Sequence, residues 1–324
     1  MRAAKFYGEG RIEVVELPDP QPGPGEVLVR VTACALCGSD LRPWRRGWPV
    51  TSGHEIAGRV DQPGHRRHGE RVVVYIPVFC GRCEECGAGR THLCRENREL
   101  MGWQRPGGYA ERLAVPERCL LTVPDDIPDR LAPLLLDTIG TTAHGVRLAK
   151  RIVDGGRALV LGAGPIGLGA ILALARMGFG PIDVVDPVAY RSAFAVSLGA
   201  TATSSDAAST GRYRLVVEAT GKDAARQIAL EAVAPEGAII QLGESDAWAL
   251  TETRSIRLKD FFLVRSFYFP IGDYAANLEL LRVDRDKYQR LVDDTADLDG
   301  LDELFASFAR GEKLKPLLVP AGAS

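Results

Sequence analysis

The amino-acid sequence predicts a two-part α/β protein, a β-rich domain joined to a doubly wound parallel sheet. Three observations predict it. Up to about residue 120, short runs alternate apolar with polar or small residues, the period-two signature of strands. After about residue 130, helical patterns of 10–15 residues alternate with short apolar runs, which is how βαβ units read. A length of 324 residues corresponds to about two domains of roughly 150 residues each.

The elements follow in order. Residues 26–35 (EVLVRVTACA) read as a half-buried strand, preceded by a turn-rich stretch of prolines and glycines at 18–25. Residues 71–75 and 111–115 give further short strands. In the second part, strands are expected at 158–161, 182–185, 215–218 and 238–242, with helices at 165–177, 189–198 and 223–233. Gly178 and Gly199 stand where a helix would end on a left-handed residue. The last 55 or so residues combine an apolar strand at 261–269, a helix at 274–281 and the tail KLKPLLVP.

Composition narrows the function. Charged residues make up 25% and hydrophobic ones 46%, a soluble globular balance. The formal net charge of -2 gives no sign of a nucleic-acid or polyanion partner. The start, MRAAKFYGEG, has no apolar stretch of a secretory signal, so a cytoplasmic protein is expected. The uncharged run 158–175 is nominally long enough to span a bilayer. Its four glycines and one proline read instead as strand, turn and helix in a buried core, and no membrane association is expected.

Seven cysteines, an odd number, disfavour a disulfide framework. Four of them, Cys80, Cys83, Cys86 and Cys94, fall in C-x2-C-x2-C-x7-C. Thiolates at that spacing can surround one tetrahedral zinc, and four sulfurs leave no open position, so the ion would be structural. Free thiols in a polar loop are the plain alternative. A nucleic-acid knuckle is disfavoured because Arg82 and Arg90 are offset by Glu84 and Glu85 and no aromatic residue is interleaved.

Gly162-Ala163-Gly164-Pro165-Ile166-Gly167 follows the strand RALVL and opens a helical pattern, the context that makes G-x-G-x-x-G a dinucleotide fingerprint. Gly162 permits the turn, Gly164 clears space for a pyrophosphate, and Gly167 lets helix and strand pack closely. The phosphates would meet the N–H groups and positive end of that helix. Asp186 ends the next strand, where a carboxylate can bind the adenosine ribose hydroxyls and repel a 2′-phosphate. That favours NAD over NADP; Arg191, a nearby cation, is the counter-argument.

Upstream lie Cys37-Gly38-Ser39-Asp40, Gly53-His54-Glu55, and Asp137. Singly, each has an ordinary structural reading: a core thiol, a satisfied imidazole, a helix N-cap. With the cysteine loop and the fingerprint, in this order, the sequence resembles the zinc-containing medium-chain alcohol dehydrogenases, polyol and sugar branch. The resemblance implies a GroES-like catalytic domain at 1–147 and 270–324, a Rossmann domain at 148–269, and an active site in the cleft between them. It further implies Cys37, His54 and Asp137 as catalytic-zinc ligands, with Glu55 as a nearby carboxylate or occasional ligand. Ser39 resembles the hydroxyl that relays the substrate proton, and the four loop cysteines resemble the structural-zinc ligands. Dimers or tetramers are implied in the same way.

The chemistry is consistent with those residues. A zinc ion with an open position can stabilise an alkoxide, after which hydride can leave for a nicotinamide. Ser39 can pass the hydroxyl proton along the nicotinamide ribose to solvent. Many relatives carry a histidine three residues after that hydroxyl; here it is Arg42, which cannot act as a base. The segment around 267–273 has no evident counterpart in the family.

The expected function is hydride transfer between NAD and a secondary alcohol, a polyol, sugar or cyclitol, or the matching ketone. The polar neighbours Ser39, Arg42, Trp44, Arg45 and Arg46 suit a hydroxylated or charged substrate, or form only a solvated loop. Alternatives are a simple aliphatic or aromatic alcohol dehydrogenase and a catalytically silent cofactor-binding protein. Cys34 and Cys119 are expected as small buried apolar residues, and His65 and His68 as solvent-facing.

Overall fold

The computed structural model describes residues 1–209, 211–249 and 253–322. The chain folds into two compact units, Met1–Leu136 with Pro270–Ser324, and Asp137–Phe269. The first boundary falls ahead of the expected 147/148. Residues 137–150 group with the second unit because they pack on helix Pro165–Arg176, where Gly169 meets the backbone of Thr138.

The first unit is built around strand Glu26–Ala35. Val27, Val29 and Val31 are buried between less buried neighbours, and from Val31 to Ala35 every residue is buried. Strand Glu55–Val60 runs antiparallel along one edge. The other edge is shared: Arg112–Pro116 covers its first half, and Leu317–Leu318 pairs with Ala35 and Cys34. Arg71–Val74 and Leu120–Thr122 extend the sheet beyond Glu55–Val60. A separate hairpin, Arg2–Gly8 with Arg11–Glu16, packs beside the short helix Leu41–Arg46.

The second unit is a six-stranded, wholly parallel sheet. Its order is Thr201–Ala202, Phe179–Val185, Gly156–Leu161, Tyr213–Glu218, Val233–Gln241, Phe261–Arg265. The chain steps outward from the central strand Gly156–Leu161, then returns to its other side. That reversal makes a crevice at the carboxyl ends of the two central strands, the Rossmann arrangement. Helices Pro165–Arg176, Ala189–Ser197 and Asp223–Ala232 connect the strands. Leu159, Val216, Leu230, Val233 and Ile239 are among the side chains of its buried core.

The run 158–175 is strand, turn and helix as expected, and among the described residues no helix is long and apolar enough to cross a membrane. Gly178 and Gly199 take φ of 85° and 107°, the left-handed ends foreseen. The strand expected over 261–269 stops at Arg265, since its last partner is Gln241. From Pro270 the chain turns through Ile271–Asp273 into helix Tyr274–Val283.

Candidate metal centres and dinucleotide loop

The sheet register assembles one site. Ala35 pairs with Glu55, so Cys37, two residues past one strand, comes beside His54, one residue before the other. The buried turn Ala132–Leu135 packs on the same two strands and leads to Asp137, the residue at which the units divide. The ligand atoms of Cys37, His54, Glu55 and Asp137 lie within 4.8 Å of one another, all buried. Sulfur, imidazole nitrogen and carboxylate oxygen at that spacing form a donor set suited to zinc.

Asp40 orders this group, a role the sequence did not disclose. It is 1% exposed. Its Oδ2 accepts from the Cys37 backbone N–H at 2.9 Å and from the Tyr109 hydroxyl at 2.7 Å. Its Oδ1 lies 3.1 Å from His54 Nδ1. A carboxylate on one ring nitrogen fixes the tautomer that leaves the other able to bind a metal. Burial, reinforced by the Asp40 charge, pushes the Tyr109 hydroxyl well above its ordinary pKa. Trp103 stacks at 5.5 Å from the His54 ring, and the Arg42 guanidinium lies 5.5 Å from the Trp103 ring centre. Arg45 and Arg46 are exposed, whereas Ser39 and Arg42 are half-buried.

Glu55 is fully buried and pairs with the equally buried Lys315. The pairing of Leu317 with Ala35, itself opposite Glu55, brings Lys315 there. Asp137 is not an N-cap. It opens a π-helical turn, Asp137–Thr141, ahead of helix Thr142–Lys150.

The cysteine loop brings the sulfurs of Cys80, Cys83, Cys86 and Cys94 within 4.8 Å of one another. Two separations, Cys80 to Cys86 and Cys83 to Cys94, are 3.9 Å. Four sulfurs at about 2.3 Å from one zinc in a tetrahedron would stand about 3.8 Å apart, so the cluster fits the ion. Backbone N–H groups of Cys80 and Asn97 point at Cys94, and those of Arg82 and Cys83 at Cys80. Hydrogen bonds from the Cys86 and Arg95 backbones lower the Cys83 thiol to about 6, whereas burial pushes the Cys86 thiol up to about 12. Cys34 and Cys119 are the small buried residues expected, and burial pushes Cys119 up to about 12. His68 is exposed; His65 is half-buried and 3.8 Å from Glu117.

In the second unit, Gly162 has φ 94°, and a β-carbon there would meet Thr220 at 2.6 Å. Helix Pro165–Arg176 begins with Pro165 and Ile166, and a β-carbon on Gly167 would stand 1.7 Å from the Gly162 carbonyl oxygen. Gly164 faces open space, with no atom within 4 Å of its would-be β-carbon, so the loop has room for a pyrophosphate. Asp186 does more than end its strand. Its Oδ2 accepts from Ala163 N at 2.7 Å and its Oδ1 from Val188 N at 2.8 Å, tying the glycine loop to the second strand. Arg191 lies half-buried on helix Ala189–Ser197.

The chain thus combines a Rossmann unit carrying this fingerprint with a sheet domain bearing one four-cysteine and one mixed-ligand cluster. Residues 23–125 match the alcohol dehydrogenase GroES-like domain family. Over nearly its whole length the chain shares the fold of a solved alcohol dehydrogenase. Among solved structures, it superposes on the alcohol dehydrogenase TADH from Thermus sp. ATN1 with a TM-score of 0.88. Identity there is 29%, over 98% of this chain and 99% of that one. For 2R,3R-butanediol dehydrogenase from Bacillus subtilis the TM-score is 0.85 at 25% identity, over 98% and 99% of the two chains. An L-threonine 3-dehydrogenase of Sinorhizobium fredii (strain NBRC 101917 / NGR234) is 38% identical over 195 residues, 56% of this chain. That match spans 55% of the relative, so the chain spans about half the length of the curated relatives it matches.

Proposed function

We propose that the protein is an NAD-dependent zinc dehydrogenase that interconverts a secondary alcohol, a polyol, sugar or cyclitol, with its ketone. The observation that carries this reading is the buried group Cys37, His54, Glu55 and Asp137, with His54 held by Asp40. The similarity to butanediol and threonine dehydrogenases supports the secondary-alcohol class. When bound, zinc supplies the positive charge that acidifies an alcohol, and NAD supplies the acceptor for the hydride.

The chain's own residues do the rest. Cys37, His54 and Asp137 hold the metal; Glu55, neutralised by Lys315, stands beside it. Asp40 keeps the proton on His54 Nδ1. Ser39 Oγ takes the hydroxyl proton of the alcohol and gives it to solvent, because Arg42 cannot accept it. Gly162, Gly164 and the helix starting at Pro165 and Ile166 receive the pyrophosphate. The Asp186 carboxylate at the ribose position favours NAD over NADP.

The assay is a panel of polyols, sugars and simple alcohols with NAD, followed by absorbance of reduced nicotinamide, with zinc measured on the same sample. Two zincs per chain and turnover of vicinal secondary alcohols are expected. No turnover across the panel by protein holding two zincs would reject the reading; faster ethanol or benzyl alcohol oxidation would move it to simple alcohols.

The second sheet supports a reading of the assembly. Strand Phe261–Arg265 is one of its two edges, and Phe262 and Leu263 are 48% and 45% exposed. Such an edge invites another strand, and a homodimer paired there is the assembly we propose. Phe262→Lys with Leu263→Lys should give a monomer in sedimentation; an unchanged mass would refute the interface.

A further inference from the structure

The π-helical turn that carries Asp137 is held by two features outside the reaction itself. A turn of that width leaves carbonyl groups out of register with the usual donors four residues on. The Thr142 hydroxyl, fully buried, answers this by sharing its hydrogen between the Thr138 and Ile139 carbonyls, at 2.7 and 3.1 Å. The second feature is Gly169, inside helix Pro165–Arg176. A β-carbon there would lie 2.0 Å from the Thr138 carbonyl oxygen, 3.0 Å from its carbonyl carbon and 3.2 Å from Cγ2. The nearest of these atoms are backbone and cannot swing aside. Glycine weakens a helix interior, and alanine would be the better helix former. What Gly169 gains is close approach to Thr138, the residue that follows Asp137.

We propose that Gly169 and Thr142 are positioning residues for Asp137. Together they fix the π turn that presents the Asp137 carboxylate to the metal, and Gly169 makes the dinucleotide helix the seat of that turn. The proposal rests on the reading of Cys37, His54 and Asp137 as catalytic-metal ligands.

The test uses the full chain loaded with zinc and, separately, with cobalt. Gly169→Ala should weaken retention of the catalytic-site ion about 10- to 100-fold in chelator competition, as losses of metal-orienting contacts do. It should also shift the cobalt d–d bands of that site and leave the ion of the cysteine loop in place. Thr142→Val keeps the side-chain volume and should move the same readings by about fivefold in the same direction. Unchanged retention and an unshifted cobalt spectrum in both variants overturn the proposal, even if melting falls. Should Gly169→Ala fail to fold, Thr142→Val decides on the same readings. A wild-type chain holding one ion, at the cysteine loop alone, overturns both this proposal and the metal-centre reading. Its own stoichiometry tells that failure from the first.

Discussion

Replacing Asp40 by asparagine tests how the imidazole is prepared for its metal. Three donors converge on this buried carboxylate: Cys37 N–H and Tyr109 O–H on one oxygen, His54 Nδ1 on the other. Asparagine has the same shape but only one acceptor oxygen. With its NH2 turned to His54, Nδ1 must become an acceptor, and the proton moves to the nitrogen that would bind zinc. With its NH2 turned the other way, it faces the Cys37 and Tyr109 donors. Loss of a partner of this kind weakens metal binding about 10- to 100-fold, or about 1.4–2.8 kcal/mol. The assay is chelator competition on the full chain, with zinc counted per chain. Asp40→Asn should release one zinc in that range while the cysteine-loop zinc stays. Two zincs retained at wild-type affinity would show that Asp40 does not set the tautomer.

Three further outcomes are expected. Cys83→Ser should lose the loop zinc and lower the melting temperature, since structural zinc contributes on the order of 10 kcal/mol in small modules; an unaltered melt at one zinc per chain would contradict it. Lys315→Met removes the buried counter-charge of Glu55 and should destabilise the fold by about 3–5 kcal/mol in denaturant titration. Glu55→Gln added to it should recover part of that loss, and equal stability of both variants would show the pair to be uncoupled. Asp186→Ala should weaken NAD binding and raise the NADP-to-NAD affinity ratio, measured by fluorescence titration; an unchanged ratio would remove the ribose contact.

What the sequence disclosed and what it concealed divide by distance along the chain. The glycine fingerprint and the cysteine loop are local patterns, and each is built within one turn or loop. Asp40 was visible only as a neighbour of Cys37 and Ser39, because its partners His54 and Tyr109 stand 14 and 69 residues away. Lys315 lies 260 residues from Glu55, beyond any periodicity. The π turn at Asp137 escaped because apolar spacing separates helix from strand, not one helical pitch from another. Helix Leu41–Arg46 was hidden by Pro43, and the 261–269 strand was overdrawn because Phe267, Tyr268 and Phe269 continue its apolar look past the last pairing.

The return of Leu317–Leu318 to the strand that ends beside Cys37 has a consequence for biosynthesis. Residues 137–269 are contiguous and can close as soon as they leave the ribosome, at about 5–20 residues per second. The half made first must wait for the half made last. Until Lys315 emerges, the nascent chain holds Glu55 without this counter-charge, and the strand beside Cys34 lacks its pairing with Leu318.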